Sequence, residues 1–226
     1  MRLDSIDDAP ADTSQGSAEV RTSSYRLLAL MCGLIVGWGL LMQHFEGNIY
    51  GIMGPFALSV VGVIAALFTH ELRRWLRPSK LALLSGLGVG VAMTLLTYPL
   101  FFLARATFPG LGSAVSELYA TAQRISVAEA LPWVVAIIIA EELLWRGALL
   151  QVLSCRVPDR LAMVLSVLSY ALAQFGSGSW IVMLLAAVCG SIWTLQRRWT
   201  HSLVAPLISH IIWTTTVVVL HPVTDG

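Results

Sequence analysis

The sequence predicts an all-α membrane protein, built as a bundle of about seven transmembrane helices. Of its 226 residues, 57% are hydrophobic and only 12% are charged, whereas soluble domains carry about 25% charged residues. Seven apolar runs also follow one another at lengths that suit membrane helices. The runs are Tyr25–Gln43, Ile49–Thr69, Leu81–Ala104, Val127–Gln151, Leu161–Phe175, Trp180–Leu195 and Leu203–Leu220.

Outside these runs the chain divides into a tail and one membrane domain. Residues 1–24 are polar and acidic, which predicts a disordered N-terminal tail. Residues 25–226 then form a single transmembrane domain, in which the mixed stretch 112–124 is a candidate interfacial helix. Within the third run, residues 86–90 have a glycine at every second position. Such small residues predict that another helix packs closely against this one.

The basic residues predict the orientation of the bundle. If the N-terminus is cytoplasmic and all seven runs cross, twelve of the 14 lysines and arginines lie on the cytoplasmic side. Only Arg105 and Arg124 then lie outside, as the positive-inside rule requires. We therefore expect a cytoplasmic N-terminus and an external Gly226. The net charge of +1 gives no indication of a nucleic-acid partner.

The fourth run contains three ionisable residues, Glu141, Glu142 and Arg146. Such groups are costly in a bilayer unless they are paired or face a water-filled cavity. Helical geometry places Arg146 one turn from Glu142, at an ion-pair spacing, and turns Glu141 about 100° away from Glu142. We therefore expect Arg146 to neutralise Glu142 and Glu141 to act as a general base or acid. The alternative is an internal ion cluster that only fixes helix packing.

Other polar residues lie within the later runs. His210 is the only histidine well inside a run, and Thr214 follows it by one turn, close enough to hold its ring or a water. Tyr170 and Gln174 are likewise one turn apart in the fifth run. Gln174 can position a water or an oxyanion but cannot take up a proton. Alternatively, it only joins two helices by a hydrogen bond.

The depths of these residues in the bilayer differ if all the helices are upright. His210 then lies about 10 Å, Glu141 about 15 Å and Gln174 on the order of 20 Å from the cytoplasmic side. The three side chains cannot meet at one level in this arrangement. Either the fifth helix is tilted, or Gln174 lies outside the site.

Motifs of other enzyme classes are weak or absent. The sequence has neither the Gly-x-Ser-x-Gly motif of α/β-hydrolases nor the His-Glu-x-x-His motif of zinc proteases. Its three cysteines, Cys32, Cys155 and Cys189, form no disulfide or metal-binding pattern. Residues 176–179 read Gly-Ser-Gly-Ser, which leaves a serine protease with His210 as base as a weak alternative.

The order of these motifs resembles the CAAX protease and bacteriocin-processing (CPBP, or Abi) family of intramembrane proteases. The family has Glu-Glu-x-x-x-Arg, then Phe-x-x-x-His, then His-x-x-x-Asn or Asp, each on its own membrane helix. The first motif is intact at residues 141–146. The second falls at Tyr170 and Gln174, with glutamine in place of histidine, and the third at His210 and Thr214, with threonine in place of the amide or acid. The resemblance covers a core of about 126–220.

The resemblance implies an endopeptidase in which a glutamate activates water. Glu141 and His210 would be catalytic, and the supporting residues would be Glu142, Arg146, Gln174, Tyr170 and Thr214. The substrate would be a membrane-anchored or prenylated protein, cut near its C-terminus for sorting or maturation, in the bacterial inner membrane. We expect no cofactor and no metal, because a catalytic zinc usually takes three protein ligands and only one buried histidine is available.

Two alternatives to a protease remain open at the level of sequence. A catalytically inactive CPBP relative would act as a membrane binding or immunity protein, which the missing second-motif histidine favours. A small transporter with a Glu–Arg relay is the other alternative. The lack of an internal repeat and of helix-breaking residues around Glu141 argues against it.

Overall fold

The computed structural model describes residues 13–44, 49–108, 110–122 and 124–223, and within these ranges it is mostly helical, with no strand. The predicted all-α class is therefore confirmed. Ten α-helices follow one another: α1 (Thr13–His44), α2 (Ile49–Leu67), α3 (Thr69–Trp75), α4 (Lys80–Thr107), α5 (Leu111–Ala122), α6 (Val127–Glu141), α7 (Leu150–Ser154), α8 (Asp159–Ala173), α9 (Trp180–Thr200) and α10 (Val204–Thr214).

Three short segments interrupt or extend these helices. The π-helical segment Glu142–Leu149 joins α6 to α7, and a second π-helical segment, Thr215–Leu220, follows α10. The 3₁₀ turn Gln174–Ser177 ends α8. Directly after this turn the chain reverses at Gly178, whose left-handed φ of 67° suits glycine. It then enters α9.

Five helices are long and apolar enough to cross a membrane by length and composition. They are Tyr25–His44, Tyr50–Leu67, Lys80–Thr107, Asp159–Ser177 and Trp180–Thr200. The predicted fourth span, 127–151, is divided among α6, the first π-helical segment and α7. The predicted seventh span corresponds to a shorter apolar helix, Val204–Leu220. Five spans are therefore supported, and a total of seven stays a prediction.

The remaining predictions about organisation concern the tail and the short helix. Residues 1–12 and Gly226 lie outside the described residues, whereas residues 13–24 belong to α1. The candidate interfacial helix at 112–124 corresponds to α5. The division into a tail and a single domain stays a prediction.

Serine caps set the start of several helices. Ser126 precedes α6 in a capping box: its hydroxyl accepts a hydrogen bond from the Glu129 amide at 3.4 Å, and its own amide donates to the Glu129 carboxylate at 3.1 Å. Ser79 caps α4 by accepting from the amide of Ala82, and Ser179 caps α9 by accepting from the amide of Val182. These side chains satisfy amides that an isolated helix start leaves unpaired. α6, which carries Glu141, therefore begins at a defined residue.

Helices α4 and α10 pack closely because two glycines of α4 face α10. A Cβ atom at Gly86 would lie 2.9 Å from the carbonyl oxygen of Ala205, and one at Gly90 would lie 2.9 Å from the Cα atom of Ser209. Both contacts are too close for any side chain. Gly88 faces away, with nothing within 4 Å. The predicted close approach is confirmed for two of the three glycines. It fixes α4 against Ser209, the residue that precedes His210 on α10.

Candidate active site

The predicted site residues lie on three parts of the fold and meet in one buried cluster. Glu141 ends α6, and Glu142 and Arg146 lie in the π-helical segment that follows. Tyr170 and Gln174 lie at the end of α8 and the start of its 3₁₀ turn. The third part, α10, carries His210 and Thr214. Helical segments of the π type often occur at functional sites.

Glu141 accepts hydrogen bonds from both residues at the end of α8. Its carboxylate oxygen Oε2 accepts from the Tyr170 hydroxyl at 3.0 Å, and Oε1 accepts from the Gln174 side-chain amide at 3.3 Å. The side chain is almost completely buried. Nε2 of His210 lies 3.7 Å from Oε2. Glu141 is thus oriented by two neutral donors, with the imidazole of His210 close by.

Glu142 forms the ion pair that the sequence predicts. Nη1 of Arg146 donates to Oε1 of Glu142 at 3.2 Å, and both side chains are completely buried. The same oxygen lies 2.9 Å from Nδ1 of His210. The imidazole therefore reaches both carboxylates, one with each ring nitrogen. The sequence predicts separate roles for the two glutamates, but the structure links them, because His210 on α10 contacts both carboxylates.

The aromatic surroundings of His210 were not predicted. The ring of Trp193, on α9, stacks on the imidazole with centroids 3.5 Å apart and an interplanar angle of 19°. The Arg146 guanidinium lies 4.2 Å from the ring centroid of Tyr170 and 5.4 Å from that of Trp193. Trp193 is 1% exposed. It holds the imidazole plane between α9 and the carboxylates, and nothing in its local sequence distinguishes it from other buried tryptophans.

Gln174 lies beside Glu141 in the buried cluster, so the structure does not support the alternative that places it outside. α8 ends at Ala173, and Gln174 begins the 3₁₀ turn, with φ −77° and ψ −7°. α1 presses against this turn, because a Cβ atom at Gly176 would collide with the carbonyl oxygen of Gly39. This contact between two glycines holds the end of α8 at the depth where Gln174 reaches Glu141.

A cavity of about 240 Å³ opens beside these groups. Glu141, Tyr170, Gln174, His210 and Thr214 contribute its polar surface. Its apolar walls come from side chains that include Met42, Val134, Ile138, Val182, Leu185 and Trp213. The hydroxyl of Thr214 is buried, makes no hydrogen bond within the described part of the chain, and does not hold the imidazole ring. The arrangement places a carboxylate and an imidazole nitrogen against an apolar pocket.

The residues present do not fit a metal site. Within residues 13–44, 49–108, 110–122 and 124–223, no group of three or more histidine, cysteine, aspartate or glutamate side chains is placed to hold a metal ion. Arg146 already bonds to Glu142, and Gln174 stands where the CPBP family has a histidine. A cation at this position would also be repelled by the guanidinium. The mechanism that we propose for this site therefore uses no metal ion.

The weak serine-protease alternative gains no support from the geometry. The hydroxyl of Ser177 donates to the carbonyl oxygen of Gln174 at 2.7 Å. The hydroxyl of Ser179 accepts from the amide of Val182 at 3.4 Å, as the cap of α9. Both hydroxyls therefore serve the turn between α8 and α9.

Comparison with known proteins gives one match. Residues 123–216 match the family model of the Rce1-like type II CAAX prenyl endopeptidases, and this range contains every residue of the buried cluster. No curated protein and no solved structure matches the chain. The family match over residues 123–216 is consistent with the CPBP family, so the predicted resemblance is confirmed.

Proposed function

We propose that this protein is an intramembrane endopeptidase in which Glu141 activates the attacking water. One observation carries the proposal: Glu141 and His210 come from different helices and lie 3.7 Å apart at the wall of one apolar cavity. Ionisable groups among membrane helices are costly, so a carboxylate and an imidazole buried together indicate a functional site. The family match to a prenyl endopeptidase supports the same class of reaction.

The positions of the two ring nitrogens suggest how the water is held. Glu142 accepts a hydrogen bond from Nδ1 of His210, which favours the tautomer with a proton on Nδ1 and leaves Nε2 as an acceptor. A water in the cavity can then donate one hydrogen to Oε2 of Glu141 and the other to Nε2 of His210. The 3.7 Å separation of these atoms lets one water bond to both. Its oxygen lone pairs face the scissile carbonyl.

The reaction is then a hydrolysis with balanced proton transfers. Glu141 takes a proton from the water as the oxygen attacks the carbonyl carbon, and it later gives this proton to the leaving amine. Gln174 donates only one of its two amide hydrogens to Glu141. The second amide hydrogen is available to the oxyanion that forms on the substrate carbonyl. Tyr170 and the Glu142–Arg146 pair hold the two catalytic side chains in place.

The walls of the cavity favour a substrate that is itself embedded in the membrane. The polar groups occupy one side, and aliphatic and aromatic side chains from α1, α6, α9 and α10 form the rest. The matched family is described as acting on prenylated CAAX proteins. We therefore propose a membrane-anchored or prenylated protein as substrate, cut near its C-terminus for sorting or maturation.

The proposed location is the bacterial inner membrane, with the N-terminus in the cytoplasm. The clustering of basic residues supports this orientation. Arg74, at the end of α3, lines the same cavity as Arg197 and Arg198, at the end of α9. Cytoplasmic helix ends carry such excess positive charge.

A second candidate function is that of an inactive relative that binds a membrane peptide or confers immunity. The observation that favours it is the bond from Gln174 to Glu141, at the position where the CPBP family has a histidine. Glutamine cannot exchange a proton at neutral pH. A binding protein would keep the apolar cavity without turning over its ligand.

One experiment separates the two candidates. The purified protein in detergent is incubated with a farnesylated peptide that ends in a CAAX sequence, and with the same peptide lacking the farnesyl group. Mass spectrometry then follows release of the C-terminal fragment. We expect cleavage of the farnesylated peptide and much less of the other. Binding of the farnesylated peptide without any cleavage would contradict the protease and favour the binding protein.

A further inference from the structure

A second cavity, which we name the arginine vestibule, lies where α3, the first π-helical segment, α8 and α9 meet. Its volume is about 330 Å³. Its ionisable lining is mostly basic, and consists of Arg74, Arg146, Arg197, Arg198, His201 and the single carboxylate Asp159. It is distinct from the cavity beside Glu141, because the two linings share no described residue, and Arg146 connects the vestibule to the buried cluster through its bond to Glu142.

The positive charge of the arginine vestibule is only partly neutralised. Asp159 forms a salt bridge with Arg198, and Glu142 forms one with Arg146. Arg74 and Arg197 form none within the described part of the chain. Arg74 and Arg198 are both close enough to act electrostatically on Arg197, and all three carry the same charge. The vestibule therefore holds an excess of positive charge that an anion would stabilise.

Some of the guanidinium nitrogens are also buried without an acceptor. These atoms are Nε of Arg197, and Nε and Nη2 of Arg146, and the structure gives none of them a hydrogen-bond partner. Arg146 as a whole is 1% exposed. A buried donor without an acceptor is costly, and a donor that carries charge is more costly still. The vestibule thus combines excess positive charge with Arg197, a lining residue whose Nε has no acceptor within the described part of the chain.

We propose that the arginine vestibule binds the phosphate of an anionic phospholipid head group. Guanidinium groups suit phosphate because their planar donors match its oxygens in pairs. Basic pockets between membrane helices are known as sites for anionic lipid head groups. Three of the lining residues lie at the ends of helices of membrane-spanning length, Asp159 at the start of one and Arg197 and Arg198 near the end of the other, which is where head groups lie.

Apolar side chains beside the arginine vestibule favour a lipid over a free anion. Trp199 follows Arg198 directly and is 65% exposed, and Leu161 lies two residues after Asp159 and is 45% exposed. Exposed tryptophan at the end of a membrane helix is typical of the interface between head groups and acyl chains. A phospholipid would place its phosphate in the vestibule and its acyl chains along these side chains.

Binding of this kind needs no proteolysis, so the proposal does not depend on the proposed function. The test uses the full-length protein in detergent and native mass spectrometry. Short-chain phosphatidylglycerol is the anionic probe, phosphatidylcholine with the same chains is the zwitterionic control, and inorganic phosphate is a competitor. The variant Arg197→Gln removes a buried donor of the vestibule. Arg77→Gln is the matched control, because Arg77 is exposed near the end of α3 and does not line the vestibule.

We expect saturable binding of phosphatidylglycerol and much weaker binding of phosphatidylcholine. Arg197→Gln should lower the affinity for phosphatidylglycerol about tenfold or more, since hydrogen bonds to charged groups contribute that much. Arg77→Gln should leave the affinity unchanged. Arg74→Gln, at an exposed residue of the vestibule, provides the same test if Arg197→Gln does not fold.

Three results would overturn the proposal. The first is equal binding of the two lipids, and the second is an equal loss of affinity in Arg77→Gln and Arg197→Gln. The third is displacement of phosphatidylglycerol by millimolar inorganic phosphate alone, which would indicate a site for a free anion.

Discussion

Nδ1 of His210 lies 2.9 Å from Oε1 of Glu142, the oxygen to which Arg146 also donates. One carboxylate oxygen therefore neutralises a guanidinium and fixes the orientation of an imidazole. The other ring nitrogen of His210 is left facing Glu141, at 3.7 Å. Glu142 thus bonds to both Arg146 and His210, whereas Glu141 accepts from neutral donors, which suits the proton transfer that we propose for it.

This division of roles predicts how two substitutions affect stability. Arg146→Ala leaves Glu142 buried without its cation, and breaking a buried ion pair in this way costs about 3–5 kcal/mol. Glu141→Gln should change stability little, because the amide still accepts a hydrogen bond from Tyr170. Thermal unfolding and folded yield in detergent measure both effects.

The matched control is Arg198→Ala, which breaks a pair with Asp159 whose side chains are each 49% exposed. Exposed pairs contribute about 0–1 kcal/mol, so this variant should remain close to the wild type. If Glu141→Gln is more destabilising than Arg146→Ala, the roles of the two glutamates are reversed.

The stacking of Trp193 on His210 predicts that an aromatic ring is needed at position 193. Trp193→Ala should lower kcat by more than about tenfold, because the imidazole is then free to turn away from the water that it holds in the proposed mechanism. Trp193→Phe keeps an aromatic face and should restore most of kcat. Initial rates with the farnesylated peptide measure kcat and KM separately. An equal loss of kcat in the two variants would show that the stacking contact does not position His210.

Gln174 should matter less than His210 for turnover. His210→Ala should lower the rate about 10²–10⁴-fold, which is the usual contribution of one positioned acid–base group. Gln174→Ala removes a single neutral hydrogen bond to Glu141 and should have a smaller effect. Gln174→His restores the family pattern and should be tolerated or raise the rate. Rates of the three purified variants decide the order, and a larger loss in Gln174→Ala than in His210→Ala would contradict it.

Chelators should have little effect on cleavage, because the cluster offers one histidine and two carboxylates that are already bonded to protein donors. The assay compares rates before and after treatment with a strong zinc chelator, followed by addition of zinc. A loss of activity that zinc restores would contradict the metal-free mechanism while keeping the enzyme.

The sequence predicts some of these contacts and not others, for physical reasons. Glu142 and Arg146 are one helical turn apart, so local geometry alone predicts their ion pair. For His210 and Glu141, the sequence gives only one reason to expect a contact, which is that two polar groups are costly to bury in one small bundle. The helical class follows from the apolar runs, but the number of spans does not, because residues 127–154 divide into two α-helices and a π-helical segment.

Two features of the site depend on packing between distant parts of the chain. Trp193 stacks on His210 only because α9 and α10 lie side by side, and no local pattern marks this tryptophan. Gln174 reaches Glu141 because α8 ends in a 3₁₀ turn that α1 contacts through Gly39 and Gly176. An upright helix, assumed from sequence, places the same residue at the wrong depth.

The most direct test of the account is the rate at which Glu141→Gln cleaves the farnesylated CAAX peptide. Glutamine keeps the shape of the side chain but cannot take a proton from water. We therefore predict a loss of at least about 10²-fold in kcat, with folded yield and unfolding temperature close to those of the wild type. Cleavage by Glu141→Gln at the wild-type rate would contradict the account.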